Sequence, residues 1–143
     1  MVNFVFNQAL GRVVELYNNV DTGVPAASRL VIAILDQPGL EADTVLRDKV
    51  TLADIVSGTT NEAVNSGYVR KVLTTADILA FAPDMTNNRI DLDLIADPTW
   101  PSVGAGNAWG GLVILYDPSS GGVTPGVMVP LTYHDFVVAP DKL

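Results

Sequence analysis

What most constrains this chain is its punctuation. Turn-forming clusters recur along it: Val20-Asp21-Thr22-Gly23-Val24-Pro25, Gln37-Pro38-Gly39, Ser57-Gly58, Pro83-Asp84, Asp97-Pro98, Gly104-Ala105-Gly106 and Pro118-Ser119-Ser120-Gly121-Gly122. Such residues collect in turns because they supply a positive φ, a fixed φ, or a side-chain bond to nearby backbone. Between the clusters lie short runs rich in Val, Ile, Leu and Tyr. Short strands at this spacing fit a β-sandwich or barrel better than a helical bundle. The sequence therefore predicts a mainly β, single-domain fold over residues 1–143, sandwich-like or barrel-like, with one short helix.

The clearest strand is Arg89 to Ile95, where Ile90, Leu92 and Leu94 alternate with Arg89, Asp91 and Asp93. A period of two is what a strand with one buried face requires. Asp77 to Ala82 is placed to pair with it across Pro83 to Asn88 as a hairpin. Leu30 to Leu35 and Leu112 to Tyr116 are apolar without alternation, as central strands covered on both faces are. Tyr68 to Leu73 and Gly126 to Tyr133 complete the set, and Pro130 puts an edge or a bulge in the last. Near the N-terminus Phe4 and Phe6 alternate, while Leu10, Val13, Val14 and Tyr17 fit a helical stripe; Gly11 and the β-branched pair Val13-Val14 favour strand. The short helix falls at Thr51 to Ser57, with Thr51 as its cap, Asp54 in capping-box spacing and Gly58 as its end.

Composition excludes several kinds of chemistry. With no cysteine there is no disulfide, thiolate metal site or cysteine nucleophile, and one histidine, His134, cannot build a histidine-rich metal site. A net charge of −8 argues against binding nucleic acid phosphates, which needs clustered Lys and Arg, and against an anionic membrane surface. The longest apolar run, Leu30 to Leu35, is far short of the ~20 residues of a membrane helix. Only 17% of residues are charged and mean hydropathy is +0.31, against about 25% charged in ordinary soluble domains. Either an Ala/Val-rich core accounts for this, or apolar surface is buried against partner chains. The second reading makes the protein a homo-oligomer or a lattice-bound subunit, with contacts through Phe4 and Phe6 added to a neighbour's sheet edge and through the loop between Trp100 and Trp109.

No constellation of residues reads as a catalytic, cofactor or metal site. Asp91 and Asp93 share a strand face about 7 Å apart, but a solvated face, charge-paired with Arg70 and Lys71, explains them. Asp84, Asn87, Asn88 and Asp91 are oxygen-rich without the EF-hand spacing, and turn chemistry accounts for them. His134 and Asp135 point to opposite faces of a strand, and no Gly-x-Ser-x-Gly elbow presents a serine to them. The Gly104 to Gly110 stretch misses the dinucleotide-loop spacing by one position. Trp100 and Trp109 flank it and either cap the end of the core or form a binding surface for a sugar or a protein.

A set of stretches carries a further signal in its order. It comprises Gly39-Leu40-Glu41-Ala42-Asp43, Leu46-Arg47-Asp48, Asn61-Glu62, Arg70-Lys71-Val72-Leu73-Thr74, Thr86-Asn87-Asn88-Arg89-Ile90-Asp91, Trp100, Gly106-Asn107, Leu115-Tyr116-Asp117 and Val129 to Phe136. In this order the chain resembles small proteins encoded among the virion structural genes of tailed phages, notably those of actinobacteria. The likeness covers most of the chain and is weakest over Glu15 to Val24. The resemblance implies a virion component assembled in the host cytoplasm, without enzymatic activity or cofactor. A capsid decoration or cement protein fits it best, with the major capsid protein or other virion subunits as partners. A tail or head–tail joining protein and a glycan- or receptor-binding module of the particle are the alternatives.

Overall fold

The two apolar runs without alternation are the middle of a sheet. In a computed structural model describing residues 2–119 and 124–138, β1 (Phe4–Val5) is followed by α1 (Val13–Thr22), β2 (Arg29–Asp36), α2 (Asp43–Leu46), α3 (Leu52–Ile55) and β3 (Lys71–Leu73). Then come β4 (Pro83–Asp84), β5 (Arg89–Ile90), β6 (Trp109–Asp117) and β7 (Val129–Val138). Five strands pair in the order β1-β7-β6-β2-β3, every neighbour antiparallel, and β4 and β5 form a separate ribbon. The chain is mainly β, as the turn spacing predicts, but the sheet is open rather than closed into a barrel. Its edge strands are short, two residues in β1 and three in β3.

β2 is covered on both faces, and β6 is covered on one face and half-covered on the other, which is why both lack alternation. Val31, Ala33, Leu35, Val113, Leu115 and Tyr133 face a core closed by Phe4, Phe6, Leu46, Leu52, Ile55 and Met128. Leu30, Ile32, Tyr116 and Leu131 face a second core closed by Leu16, Tyr17 and Val20 of α1 and by Ile78. Pro130 sits opposite Leu115 where the β6–β7 register shifts, so it occupies a bulge.

Four local expectations change in the structure. Residues 13–22 are helix, not strand: Leu16, Tyr17 and Val20 form one buried stripe, and packing that stripe on the sheet outweighs the weak strand preference of Val13-Val14. Gly11 lies outside the helix, and Gly23 ends it at φ 64°, with Val24 N–H donating to the Asn19 carbonyl at 3.0 Å. The expected helix near Thr51 is present as α3, its Thr51 hydroxyl accepting from Asp54 N–H at 3.1 Å, but it ends at Val56, and α1 and α2 add two further helices. Of the expected strand from Tyr68, only Lys71–Leu73 pairs, because the Tyr68 hydroxyl takes a strand's place by accepting the Ile34 N–H at 3.0 Å.

The fourth is the Arg89–Ile95 strand. The hairpin exists, but its strand pairing is limited to β4–β5 and a bridge between Ile78 and Leu94. Leu92 and Leu94 pack on the sheet, while Ile90, nearer the tip, is exposed. The alternation is thus real, but only its lower half finds a surface to cover. Tyr17 ties this arm to α1: its hydroxyl lies 2.6 Å from the Leu79 carbonyl and 2.8 Å from that of Asp93. Burial raises the Tyr17 phenol above its ordinary pKa, so it remains a donor, its single proton serving one carbonyl at a time. Tyr17→Phe is expected to cost about 1–2 kcal/mol of unfolding free energy and to speed amide exchange across residues 77–95. Unchanged urea unfolding and exchange would show that the arm is held by its apolar contacts alone.

Candidate functional site

Trp100 marks the one place where an aromatic side chain singled out from the sequence lies half-buried beside open space. β6 sets Trp109 and Leu112 in the floor of a cavity of about 370 Å³, with Ile34 of β2 and Phe136 of β7 beside them. Pro98, Thr99, Trp100 and Pro101 form its outer wall. Two prolines stiffen this wall segment by fixing φ, and the Trp100 indole N–H anchors it by donating to the Val69 carbonyl at 2.7 Å. The rings of Trp100, Trp109 and Tyr68 form a triangle with centroids 5.7, 6.0 and 6.4 Å apart. Lys71 lies over the Trp100 ring, 5.3 Å from its centroid.

Polar residues position these rings from beneath. Asn65 accepts the Trp109 indole N–H at 3.0 Å, and its amide donates to the carbonyls of Gly104 and Asn107 at 3.3 and 3.4 Å. The Tyr68 hydroxyl donates to Glu62 at 2.9 Å, and Arg70 grips both oxygens of Glu62 at 2.7 Å. Burial, reinforced by the Glu62 charge, pushes the Tyr68 phenol well above its ordinary pKa. Asn65, Tyr68 and Phe136 are the site residues that pattern reading does not pick out. Each is unremarkable in sequence, and only a Trp far along the chain makes it part of a cluster.

The other residues weighed from sequence fall as follows. Trp109 is buried within the core, leaving Trp100 as the tryptophan at the surface. Phe4 and Phe6 are not an exposed contact patch. The segment they belong to does add to a sheet edge, but to its own, where Phe4 pairs with Tyr133 and stacks on it at 4.9 Å. Both rings then fill the pocket between the sheet and α2–α3, so they are not available to a neighbour.

Asp91 and Asp93 are both exposed and do not meet Arg70 or Lys71. Asp91 pairs with Arg89 at 3.1 Å, Asp93 accepts its neighbour Leu94 N–H, and Arg70 pairs with Glu62. Asp84 is a turn residue: its carboxylate accepts Thr86 and Asn87 N–H and the Asn87 amide, and these bonds, the amide's first, hold it below the usual carboxylate range. His134 lies in mid-strand with Nε2 3.0 Å from the Thr132 hydroxyl, and burial lowers its pKa. Among the described residues no group of three or more His, Asp or Glu side chains is placed to hold a metal ion. No helix among them is long and apolar enough to cross a membrane.

What fold and site define together is a mainly β domain with an apolar, aromatic-walled cavity at its surface. No family model, no curated protein and no solved structure matches the chain.

Proposed function

We propose that this chain is a structural virion protein of a tailed phage. In this reading it is a capsid decoration protein that binds the head as an oligomer or lattice-bound subunit, and it has no enzymatic role. The observation that carries the reading is where the residues of the phage resemblance fall. Arg47 lies over the Phe4 ring, Glu62 and Arg70 form a two-pronged ion pair, and Asn87 closes the Asp84 turn. Asn107 holds the buried Asp36 at 2.8 Å, the buried Asp117 takes Arg29 at 2.9 Å, and Val129 to Phe136 belong to β7. Most are joints of a scaffold, spread over both faces and both ends of the sheet, while Trp100 and Phe136 wall the cavity described above and Lys71 lies on the Trp100 ring. A likeness carried mostly by joints suits proteins whose shared role is mechanical.

The glycan-binding alternative has less support. The cavity at Trp100 offers one side-chain hydroxyl, Thr99, whereas a sugar site needs several convergent polar groups. The test is to challenge particles with heat or a chelator, with and without the protein. Particles lacking it are expected to release their genome sooner, and intact particles to carry many copies on the capsomers. A single ring of copies at the head–tail joint would transfer the protein to the joining class. Equal survival, together with a catalytic activity in the isolated protein, would overturn the reading.

A further inference from the structure

The sheet face that carries α1 is only partly covered. α1 packs on β2 and on the turn at Thr75–Asp77, to one side of the sheet. On the other side, Leu112 and Ile114 of β6 and Thr132, His134 and Phe136 of β7 remain half-buried. Two cavities open over them, the one of about 370 Å³ at Trp100 and one of about 320 Å³ beside Tyr17. The cavities abut: Leu112 and Ile114 stand two residues apart on one face of β6, as do His134 and Phe136 on β7, and each cavity takes one residue of each pair. Residues 92–101 wall both, through Leu92 and Leu94 at one end and Pro98 and Trp100 at the other.

We propose that this trough docks a short amphipathic helix of a partner protein, apolar on one side and carrying Lys or Arg along its flank. Its length suits a helix. Leu131 to Phe136 spans about 17 Å of strand, the length of a helix of about eleven residues. Its width suits one too: strands lie about 4.8 Å apart, so a helix about 10 Å across covers two of them. α1 already takes one such width on this face, and β6–β7 leaves the next.

Charge selects the partner. No Lys or Arg lines either cavity. Asp93 and Asp97, four residues apart on the wall segment, are exposed and have no cationic partner among the described residues. Lys71, the base adjoining Trp100, sits against that ring. Burial keeps His134 in the floor below its ordinary pKa and so uncharged at neutral pH, while the charges of Asp21 and Asp93 add to burial in raising Tyr17. A second copy of this chain would bring a net −8 to the same rim, which disfavours it as the occupant.

The inference stands apart from the decoration reading, which the particle challenge tests separately. The full chain is titrated with a synthetic peptide of about fourteen residues, Leu and Lys at helical spacing, and followed by tryptophan fluorescence and backbone amide shifts. A Leu/Glu peptide of the same spacing and a Leu/Lys peptide in strict alternation serve as comparisons. The helical Leu/Lys peptide is expected to bind most tightly, with shifts confined to β6, β7 and residues 92–101. Asp93→Asn with Asp97→Asn is expected to weaken it about tenfold. Phe136→Ala, with an unchanged far-ultraviolet spectrum, is expected to weaken it similarly. The proposal falls if the Leu/Glu or alternating peptide binds as well, if the double variant binds unchanged, or if the shifts lie elsewhere. It also falls if nothing binds near millimolar peptide, or if sedimentation shows a dimer in which Phe136→Ala disrupts self-association.

Discussion

Phe6→Ala is expected to lower the unfolding free energy by about 3–5 kcal/mol, the usual cost of deleting a fully buried phenylalanine. The ring is 0% exposed. It meets Phe4 edge-on at 5.1 Å, and its backbone is pinned on both sides: Phe6 N–H donates to the Leu131 carbonyl at 3.0 Å and Asn7 N–H to that of Arg47 at 2.9 Å. That backbone cannot follow the missing ring inward, so a cavity remains. A domain of this size has a total stability on the order of 10 kcal/mol, so removing residues 1–7, with Phe4 as well, should leave little folded protein. This reverses what an exposed contact segment would do, since such a deletion would spare the fold. Denaturant unfolding of the two variants decides between the two. A loss below about 1 kcal/mol for Phe6→Ala would mean that the ring is not packed as described.

Gly111→Ala should be nearly as damaging, for the opposite reason. Gly111 lies in β6, and a Cβ there would run into the ring and hydroxyl of Tyr133 on the neighbouring strand. Tyr133 cannot easily give way. It is fully buried, stacked on Phe4, and its hydroxyl donates to the Gly110 carbonyl at 3.0 Å. Overpacking costs about 1–3 kcal/mol, and loss of the Tyr133 hydrogen bond adds about 1 kcal/mol. The expected total is thus about 3 kcal/mol, read by thermal or urea unfolding. A double-mutant cycle tests the cause. With Tyr133→Val the added methyl has room, so the pair should lose less than the sum of the single losses. Strict additivity would place the damage in the strand backbone instead.

The low charge content admits a structural account that needs no partner. A sheet buried on both faces by helices and loops consumes apolar residues at nearly every position of β2, from Leu30 to Leu35. A two-sided core of this kind uses more of a short chain's apolar residues than a sheet with one wet face. What a partner reading still has in its favour is the half-covered floor of β6 and β7, on a different side of the sheet from Phe4 and Phe6, where the acidic rim favours a basic partner over a second copy.

Residues close in sequence settled a definite part of this protein. The Gln37-Pro38-Gly39 cluster marked the end of β2, although Pro83-Asp84 became strand β4, Val20 to Thr22 became helix and Ser120 to Gly122 lie outside the described residues. The lack of alternation in Leu30–Leu35 and Leu112–Tyr116 marked the centre of the sheet. Thr51 with Asp54 marked a helix start, Pro130 a bulge, and Asp84 with Asn87 a turn. Each of these follows from periodicity or backbone chemistry within a few residues, so contiguous sequence is enough. Tertiary structure decided the rest, because the deciding energy came from distant partners. Val13-Val14 is helical since Leu16, Tyr17 and Val20 find a sheet to cover. Phe4 and Phe6 are core since β7, more than a hundred residues away, supplies their edge. The aromatic cluster exists since Asn65 and Tyr68 meet Trp109 and Ile34 across chain separations of 44 and 34 residues. Such contacts depend on which edges pair and which faces meet, and no short stretch of sequence encodes that choice.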